Sequence, residues 1–314
     1  MEYTAVIRTL GTSGEKFLTL LTSLAKQTIQ PKEIYVYIAE GYDLPSATLG
    51  IEKYVYVKKG MMAQRALRYK EVHTEYILFL DDDLYLPENT VEKMFALLFQ
   101  YKADVISPDI FPNASRNFKS EVVMSIAARM RPRYRSDGWG YKVMRNAGYS
   151  YAKKITDEVL CSQTNAGACF LCRKDDFLKI KLEDETWIDA VPYALGDDQV
   201  IYYKMFLNNL KILTWYTHGV IHLDGGQNYV KEKLLSLIYS DFRFKTIFWF
   251  RFIYRIEQSV MMRIYSVLLF AYTLVFSVLV SFLKLEWRVL GVKVSAIRDA
   301  IRYIHSEKYN DVIL

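Results

Sequence analysis

The sequence predicts an α/β fold, a sheet flanked by helices, followed by a hydrophobic helical tail. Three observations predict it. Apolar runs of strand length alternate with helix-period segments through roughly the first hundred residues. One of these runs, Tyr76 to Leu80, passes without a spacer into Asp81-Asp82-Asp83. Ile264 to Leu283 carries no charge over a length that could cross a bilayer core of roughly 30 Å.

Composition bounds the possibilities. The chain has 314 residues, 52% hydrophobic and 15% aromatic, so it can bury a full core and wholesale disorder is excluded. A net charge of +6 favours anionic partners without choosing among nucleotides, lipid headgroups and nucleic acid. Cys161, Cys169 and Cys172 are too few and too clustered for a disulfide framework, and read as core cysteines of a reducing compartment. The first apolar run is short, lacks a basic leader and ends in Thr12-Ser13-Gly14-Glu15, so the N-terminal body is expected in the cytosol.

Taken in order, Thr4 to Thr9 is a strand, Glu15 to Gln27 a helix, and Ile34 to Ile38 a second buried strand. Short β-α-β connections of this kind argue for parallel strands whose ligands bind beyond the carboxyl ends. Glu40 stands at such an end, either as an acceptor for a base or ribose or as an ordinary loop carboxylate. Tyr54 to Val57 reads as a strand and Met61 to Lys70 as a helix carrying Arg65 and Arg68. Tyr76 to Leu84 comes next. Its apolar half belongs in a core, and its acids must emerge at the strand end, because buried unpaired carboxylates cost several kcal/mol each by rough estimate. Asp81 and Asp83, two apart, would share a face and could offer oxygen ligands to a hard divalent cation. A solvated acidic turn before Pro87 is the competing reading.

Glu88 to Tyr101 reads as an amphipathic helix and Asp104 to Pro108 as a strand. Pro112 to Lys154 is strongly basic, with Glu121 and Asp137 its only acids, and is interleaved with Trp139, Tyr141, Tyr149 and Tyr151. It could bind single-stranded nucleic acid, anionic headgroups or a diphosphate, or be a solvated loop; the membrane segment below favours lipid or phosphate. Asn113-Ala114-Ser115 matches a glycosylation acceptor that a cytosolic location would leave inert. Gln163 to Arg173 runs from small residues, which permit close approach, into a strand. Asp184 to Ala194, with Trp187 and Tyr193, is loop-like. Asp197 and Asp198 open a helix to Leu207, where acids are common as caps. Ile212 to Tyr216 is a strand, and Val220-Ile221-His222 a further strand end.

In the tail, Phe242 to Arg255 mixes aromatics with basic residues as interfacial helices do. Arg243, Lys245, Arg251, Arg255 and Arg263 crowd the N-terminal flank of 264–283, placing that side toward the cytoplasm, although Lys284, Arg288 and Lys293 follow the other end. A span, a re-entrant hairpin and an in-plane helix stay open, with a span preferred.

These segments together resemble the family 2 glycosyltransferases, enzymes of the GT-A fold. The resemblance covers about Val6 to His222. It rests on V-I-R-T with S-L-A-K-Q-T and E-I-Y-V-Y-I; on G-M-M-A-Q-R-A-L, which sets Arg65 sixteen residues before Asp81; on G-A-C-F-L-C-R; and on G-D-D-Q-V-I-Y-Y-K-M. It implies a Rossmann-like mixed sheet flanked by helices. The implied division is a catalytic domain over 1–235, with a nucleotide-sugar-binding half 1–110 and an acceptor half 111–235 containing the basic insertion 112–154. A membrane-associating region, 236–314, follows.

Carried over by position, the resemblance implies that Thr9, Glu40, Arg65, Asp81 and Asp82 meet the donor. Asp83, Asp81 and His222 would meet a divalent cation, Mn²⁺ or Mg²⁺, with Asp83 the more direct ligand. Asp198 would be the general base, with Asp197 and Trp187 in the acceptor region. Ala39 stands where the family has a first acid after the second strand, and Asp197 where it has glutamate. No Q-x-x-R-W motif follows, which argues against a processive synthase. The implied reaction moves a sugar, with inversion, from a nucleotide-diphosphate sugar (a UDP-sugar is favoured) to a hydroxyl of a glycan or lipid-linked saccharide. The setting would be cell-surface polysaccharide or glycolipid assembly at the cytoplasmic face of a membrane, with lipid met through the tail and no nucleic-acid partner. The alternatives are a membrane-anchored, non-catalytic binder of nucleotide sugar or lipid, a nucleic-acid binder, and a nucleotidyltransferase.

Overall fold

The computed structural model describes residues 1–110, 118–224 and 233–312. The Asn113-Ala114-Ser115 sequence and residues 112–117 of the basic segment lie outside the described residues.

The strands are β1 (Tyr3–Thr9), β2 (Glu33–Ala39), β3 (Glu52–Val57), β4 (Tyr76–Asp81), β5 (Leu84–Tyr85), β6 (Val105–Pro108), β7 (Met130–Arg133), β8 (Tyr141–Val143), β9 (Tyr149–Ala152), β10 (Val159–Ser162), β11 (Cys169–Arg173), β12 (Ile212–Trp215) and β13 (Ile221–His222). Eight of them form one mixed sheet in the order β10-β12-β6-β11-β4-β1-β2-β3. β1, β2, β3 and β4 are mutually parallel, and β11 is inserted antiparallel between β4 and β6. β5 and β13 make a separate antiparallel ribbon that sets His222 opposite Leu84. β7, β9 and β8 form a small sheet from the basic segment.

Alternation of side chains divides the core between the two faces of the sheet. From β4, Tyr76, Leu78 and Leu80 pack with Leu20 and Leu21 of α1 (Glu15–Ala25) and with Met94 and Phe95 of α2 (Thr90–Gln100). Ile77 and Phe79 face the other way, where Phe79 stacks on Phe170 at 4.6 Å. Each such side chain contributes roughly 1.5–3 kcal/mol on full burial. That second face is covered by α4 (Lys174–Lys179), a 3-10 helix over Leu182–Ala190, α5 (Asp197–Leu207) and the tail. α3 (Phe118–Ile126) precedes β7.

One expected element is absent. Met61 to Lys70 forms turns, because the Asp189 carboxylate accepts from the Met62 and Ala63 amides at 2.9 and 2.8 Å, and Tyr69 adopts φ 46°. Gln64 to Gly60 and Ala66 to Met62 keep helix-like bonds, and the positive φ of Tyr69 breaks the run. The expected loop from Asp184 is largely the 3-10 helix, and the three cysteines are free thiols, Cys169 and Cys172 buried.

The tail comprises α6 (Leu234–Trp249), a π-helical turn over Phe250–Tyr254, α7 (Val260–Leu283) and α8 (Trp287–Ile304). α6 is built into the sheet-covering core: Phe244, Ile247, Phe248 and Phe252 share a cluster with Val200, Ile201 and Phe170. The Phe244 ring lies over Gly196, whose αL backbone (φ 87°) opens α5; a Cβ there would sit 2.2 Å from the ring. Below it, Glu185 is fully buried between Lys204 (2.8 Å) and Arg251 (2.8 Å), and also accepts from Trp187 Nε1 at 2.8 Å. This triad joins the 3-10 helix, α5 and the tail.

Candidate active site

The carboxyl end of β4 delivers its three acids to three different environments. Arg8 on β1 is the register partner of Asp81, so both side chains leave the sheet on one face. Arg8 grips Asp81 in a two-pronged pair, Nε to Oδ1 at 2.7 Å and Nη2 to Oδ2 at 3.3 Å, while its Nη1 donates to Asp197 at 3.0 Å. Arg65, buried, reaches Asp81 at 3.1 Å, Asp197 at 3.3 Å and the Gly167 carbonyl at 2.8 Å. Burial alone would raise the Asp81 pKa, but Arg8 and then Arg65 outweigh it and hold the carboxyl below its ordinary value.

Asp82 emerges on the opposite face, where it accepts from the Thr9 hydroxyl; its pKa is raised by burial despite that bond. Asp83 turns into the β5–β13 ribbon, and its Oδ1 lies 3.4 Å from His222 Nε2. Burial pushes the Asp83 carboxyl up to about 6, with His222 opposing and Asp81 and Asp82 adding to the rise. The expected shared face of Asp81 and Asp83 is thus divided between an arginine pair and a histidine.

Asp197 and Asp198 stand in the first turn of α5, as the glycine-acid-acid sequence predicts. Asp197 is buried against the arginines, whereas the Asp198 side chain is 40% exposed and touches Arg65 at 4.0 Å. Enclosure by the surrounding protein and the Asp197 charge raise Asp198 to about 7, with Arg65 and Arg8 opposing, and the solvent-facing edge of the side chain limits the part of that rise that enclosure supplies. Gly167 makes this position possible: a Cβ there would come within 2.1 Å of Asp198 Oδ1. The small residues before β11 therefore admit a carboxylate.

Beside these groups, on the β4 side, lies a cleft of about 760 Å³, lined by Arg8, Thr9, Gln64, Asp81, Asp82 and Asp83, with His222, Asp189 and Tyr193 also on its wall. Burial, paired acids and guanidinium groups around one such cavity are the marks of a functional site. Of the sequence-predicted residues, Arg65, Asp197 and Asp198 stand behind the lining, tied to it through Arg8 and Asp81, and two more are not brought to the site. Glu40 is exposed at the end of β2 and lies outside the cleft lining. Trp187 is 5% exposed, stacked 5.8 Å from Phe244, with its Nε1 committed to Glu185. Two residues that sequence reasoning missed are Arg8 and Asp189. The signal for Arg8 was a lone cation at the end of an otherwise apolar strand; Asp189 gave none. Among the described residues no group of three or more His, Cys, Asp or Glu side chains converges as a metal centre.

Residues 53–152 match the family model described as "Glycosyl transferase family 2". No curated protein matches the sequence. Among solved structures, the chain is similar to GalNAc-T7 crystallised with UDP, GalNAc and Mn²⁺, at 14% identity and a TM-score of 0.51, covering 80% of this chain and 50% of that one. It is also similar to S. aureus TarS 1-349, at 16% identity and a TM-score of 0.49, covering 96% of this chain and 82% of that one. The chain spans half the length of the GalNAc-T7 structure, and at these identities the likeness concerns the fold. The matched segment and the mixed sheet together show a chain that resembles the family 2 glycosyltransferases and has a GT-A type fold.

Proposed function

We propose that this chain is an inverting, metal-dependent glycosyltransferase of EC class 2.4. It would move a sugar from a nucleotide-diphosphate sugar, a UDP-sugar by preference, to a hydroxyl of a glycan or lipid-linked saccharide, non-processively and at the cytoplasmic face of a membrane in surface-glycan assembly. The observation that carries this reading is the opposition of two acid groups across one arginine pair. Asp81 to Asp83 end β4, and Asp198 faces them from α5 with its pKa at about 7.

The roles follow from charge. Arg65 and Arg8 supply positive charge where a departing diphosphate gains negative charge, and Asp81 keeps both guanidiniums in place. Asp198 is the partly exposed carboxylate with a pKa near neutrality, which suits it to take a proton from an attacking hydroxyl; such a base contributes roughly 10²–10⁴-fold. Thr9 and Asp82 border the donor side. Asp83 and His222 fit a divalent cation: a buried carboxylate pushed up to about 6 is relieved by positive charge, and an oxygen with an imidazole nitrogen suits Mn²⁺ better than Mg²⁺, which would be held through Asp83 oxygen alone. When bound, the cation would neutralise diphosphate oxygens. GalNAc-T7, of similar fold, is crystallised with UDP and Mn²⁺, which supports the same donor class and cation here.

A screen of nucleotide sugars for Mn²⁺- or Mg²⁺-dependent hydrolysis tests the proposal. Release of a nucleoside diphosphate from one donor, abolished by chelation, is expected. Binding without hydrolysis across the panel would favour the non-catalytic binder, and pyrophosphate release from a nucleoside triphosphate would favour a nucleotidyltransferase.

A further inference from the structure

We propose that α7 lies in the plane of one membrane leaflet beside α3 and holds the body of the protein on an anionic lipid surface from one side, without crossing it. The inference rests on the tail and stands apart from the transfer reaction.

The polarity of α7 is reversed for a helix in water. Its inward stripe is mostly polar: Ser266, Thr273, Ser277 and Ser281 are buried, with Phe270 among them stacked on Trp249 at 4.3 Å. Ser266 accepts from Trp249 Nε1 and donates to the Arg145 carbonyl, both at 2.8 Å. Thr273 accepts from Asn146 at 2.7 Å, and Lys293 of α8 donates to Ser277 and Ser281 at 3.0 and 2.8 Å. The outward stripe is apolar. Ile264, Leu268, Val275 and Leu279 are 56, 64, 65 and 47% exposed, and an 18-residue window of the helix has a mean hydropathy of 2.3. The patch continues onto α3, where Tyr272 donates to the Ile126 carbonyl at 2.7 Å and Val123 and Ile126 are exposed. An apolar surface of this size marks a site of interaction.

Both ends of α7 return to the same body. Before it, Arg251 is buried against Glu185. After it, α8 packs Ala300 and Ile304 into the core that holds Phe244, and Asp311 beyond α8 pairs with Arg255 at 2.7 Å. α8 cannot be a returning span, since Arg288, Arg298, Asp299 and Arg302 would each cost roughly 2.5–3.5 kcal/mol at a bilayer centre. A spanning α7 would also draw Asn146 and Lys293 into hydrocarbon. An in-plane helix instead sinks its apolar stripe to the acyl boundary, roughly 5–10 Å deep, and leaves its polar stripe on the protein.

Charge selects the lipid. Arg263 lies near the start of α7, Lys284, Glu286 and Arg288 follow its end with one net positive charge, and no charge falls between Arg263 and Lys284. Trp287 packs edge-on against Phe282 at 5.5 Å, an aromatic at interface depth beside those cations. The pattern complements anionic headgroups at both ends of an apolar strip.

Two measurements on the full chain test this. In flotation, the protein should rise with phosphatidylcholine vesicles containing phosphatidylglycerol and less with phosphatidylcholine alone. The double variant Leu268→Glu, Val275→Glu should lose about tenfold in partition while melting as the parent does. In sealed membrane vesicles from an expressing host, Glu15→Cys and Glu307→Cys, each in a Cys161→Ala background, should share one accessibility to an impermeant maleimide. Labelling of the two cysteines from opposite sides would establish a span and overturn the proposal. So would a soluble dimer that buries this face and does not float, or flotation indifferent to anionic lipid.

Discussion

Glu185, Lys204 and Arg251 form a cluster in which one carboxylate serves two cations, each buried and each hydrogen-bonded. Around Arg8 and Arg65 the proportions reverse: Asp81, Asp197 and Asp198 share two guanidiniums, and Arg8 and Asp81 reach the wall of a cleft that Asp82 and Asp83 also line. In the triad every group has found its partners, and the result is a joint between α5 and the tail. At the candidate site, Asp82, Asp83 and Asp198 are raised above the ordinary carboxylate range, because burial and neighbouring acids outweigh the hydroxyls, histidine and arginines that face them. A satisfied ionic network holds structure; an unsatisfied one facing a cavity is prepared for ligands that bring charge of their own.

Each cluster can be broken to sharpen this contrast. The largest effect is expected from Glu185→Gln, which strands Lys204 and Arg251 in the core; the loss should be about 3–5 kcal/mol, read as a lower midpoint in urea unfolding. Arg8→Gln should leave the fold standing but remove a charge-assisted clamp worth about 1.5–3 kcal/mol, so donor affinity by calorimetry should weaken roughly tenfold to a hundredfold. Gly167→Ala forces a methyl against Asp198, and a strain of about 1–3 kcal/mol should appear as lost turnover with donor binding little changed.

A further effect is thermodynamic. Asp198 has a raised folded-state pKa, so the folded chain binds its proton more tightly than the unfolded chain. The associated stability is present at low pH and is lost as pH rises through about 7. Asp198→Asn should therefore match the parent Tm near pH 4 and exceed it at pH 8. A lower Tm at pH 8 would mean that the carboxylate is a structural partner.

How much of this could be read from sequence differs by residue. β1, β2, β4, α1 and α2 announce themselves through apolar runs and helical spacing, and the acids of β4 could only leave at its end. The turns at Met61 to Lys70 could not be read, because their acceptors belong to Asp189, more than a hundred residues away in the chain. The Glu185 triad has the same origin: its partners lie 19 and 66 residues off, and nothing local marks them. Arg8 hid inside a strand-like V-I-R-T. The inward serines of α7 were visible at helical spacing, yet the absence of charge dominated the reading and favoured a span.

The central claim is that Asp198 faces the donor acids as the proton acceptor of a transfer reaction. The most direct measurement is the pH dependence of donor hydrolysis by the parent chain and by Asp198→Asn, with donor affinity measured on the same samples. The parent should gain activity as pH rises through about 7, where Asp198 loses its proton. The variant should bind donor normally and lose roughly 10²–10⁴-fold in rate. A variant with full activity and an unchanged pH profile would contradict the account.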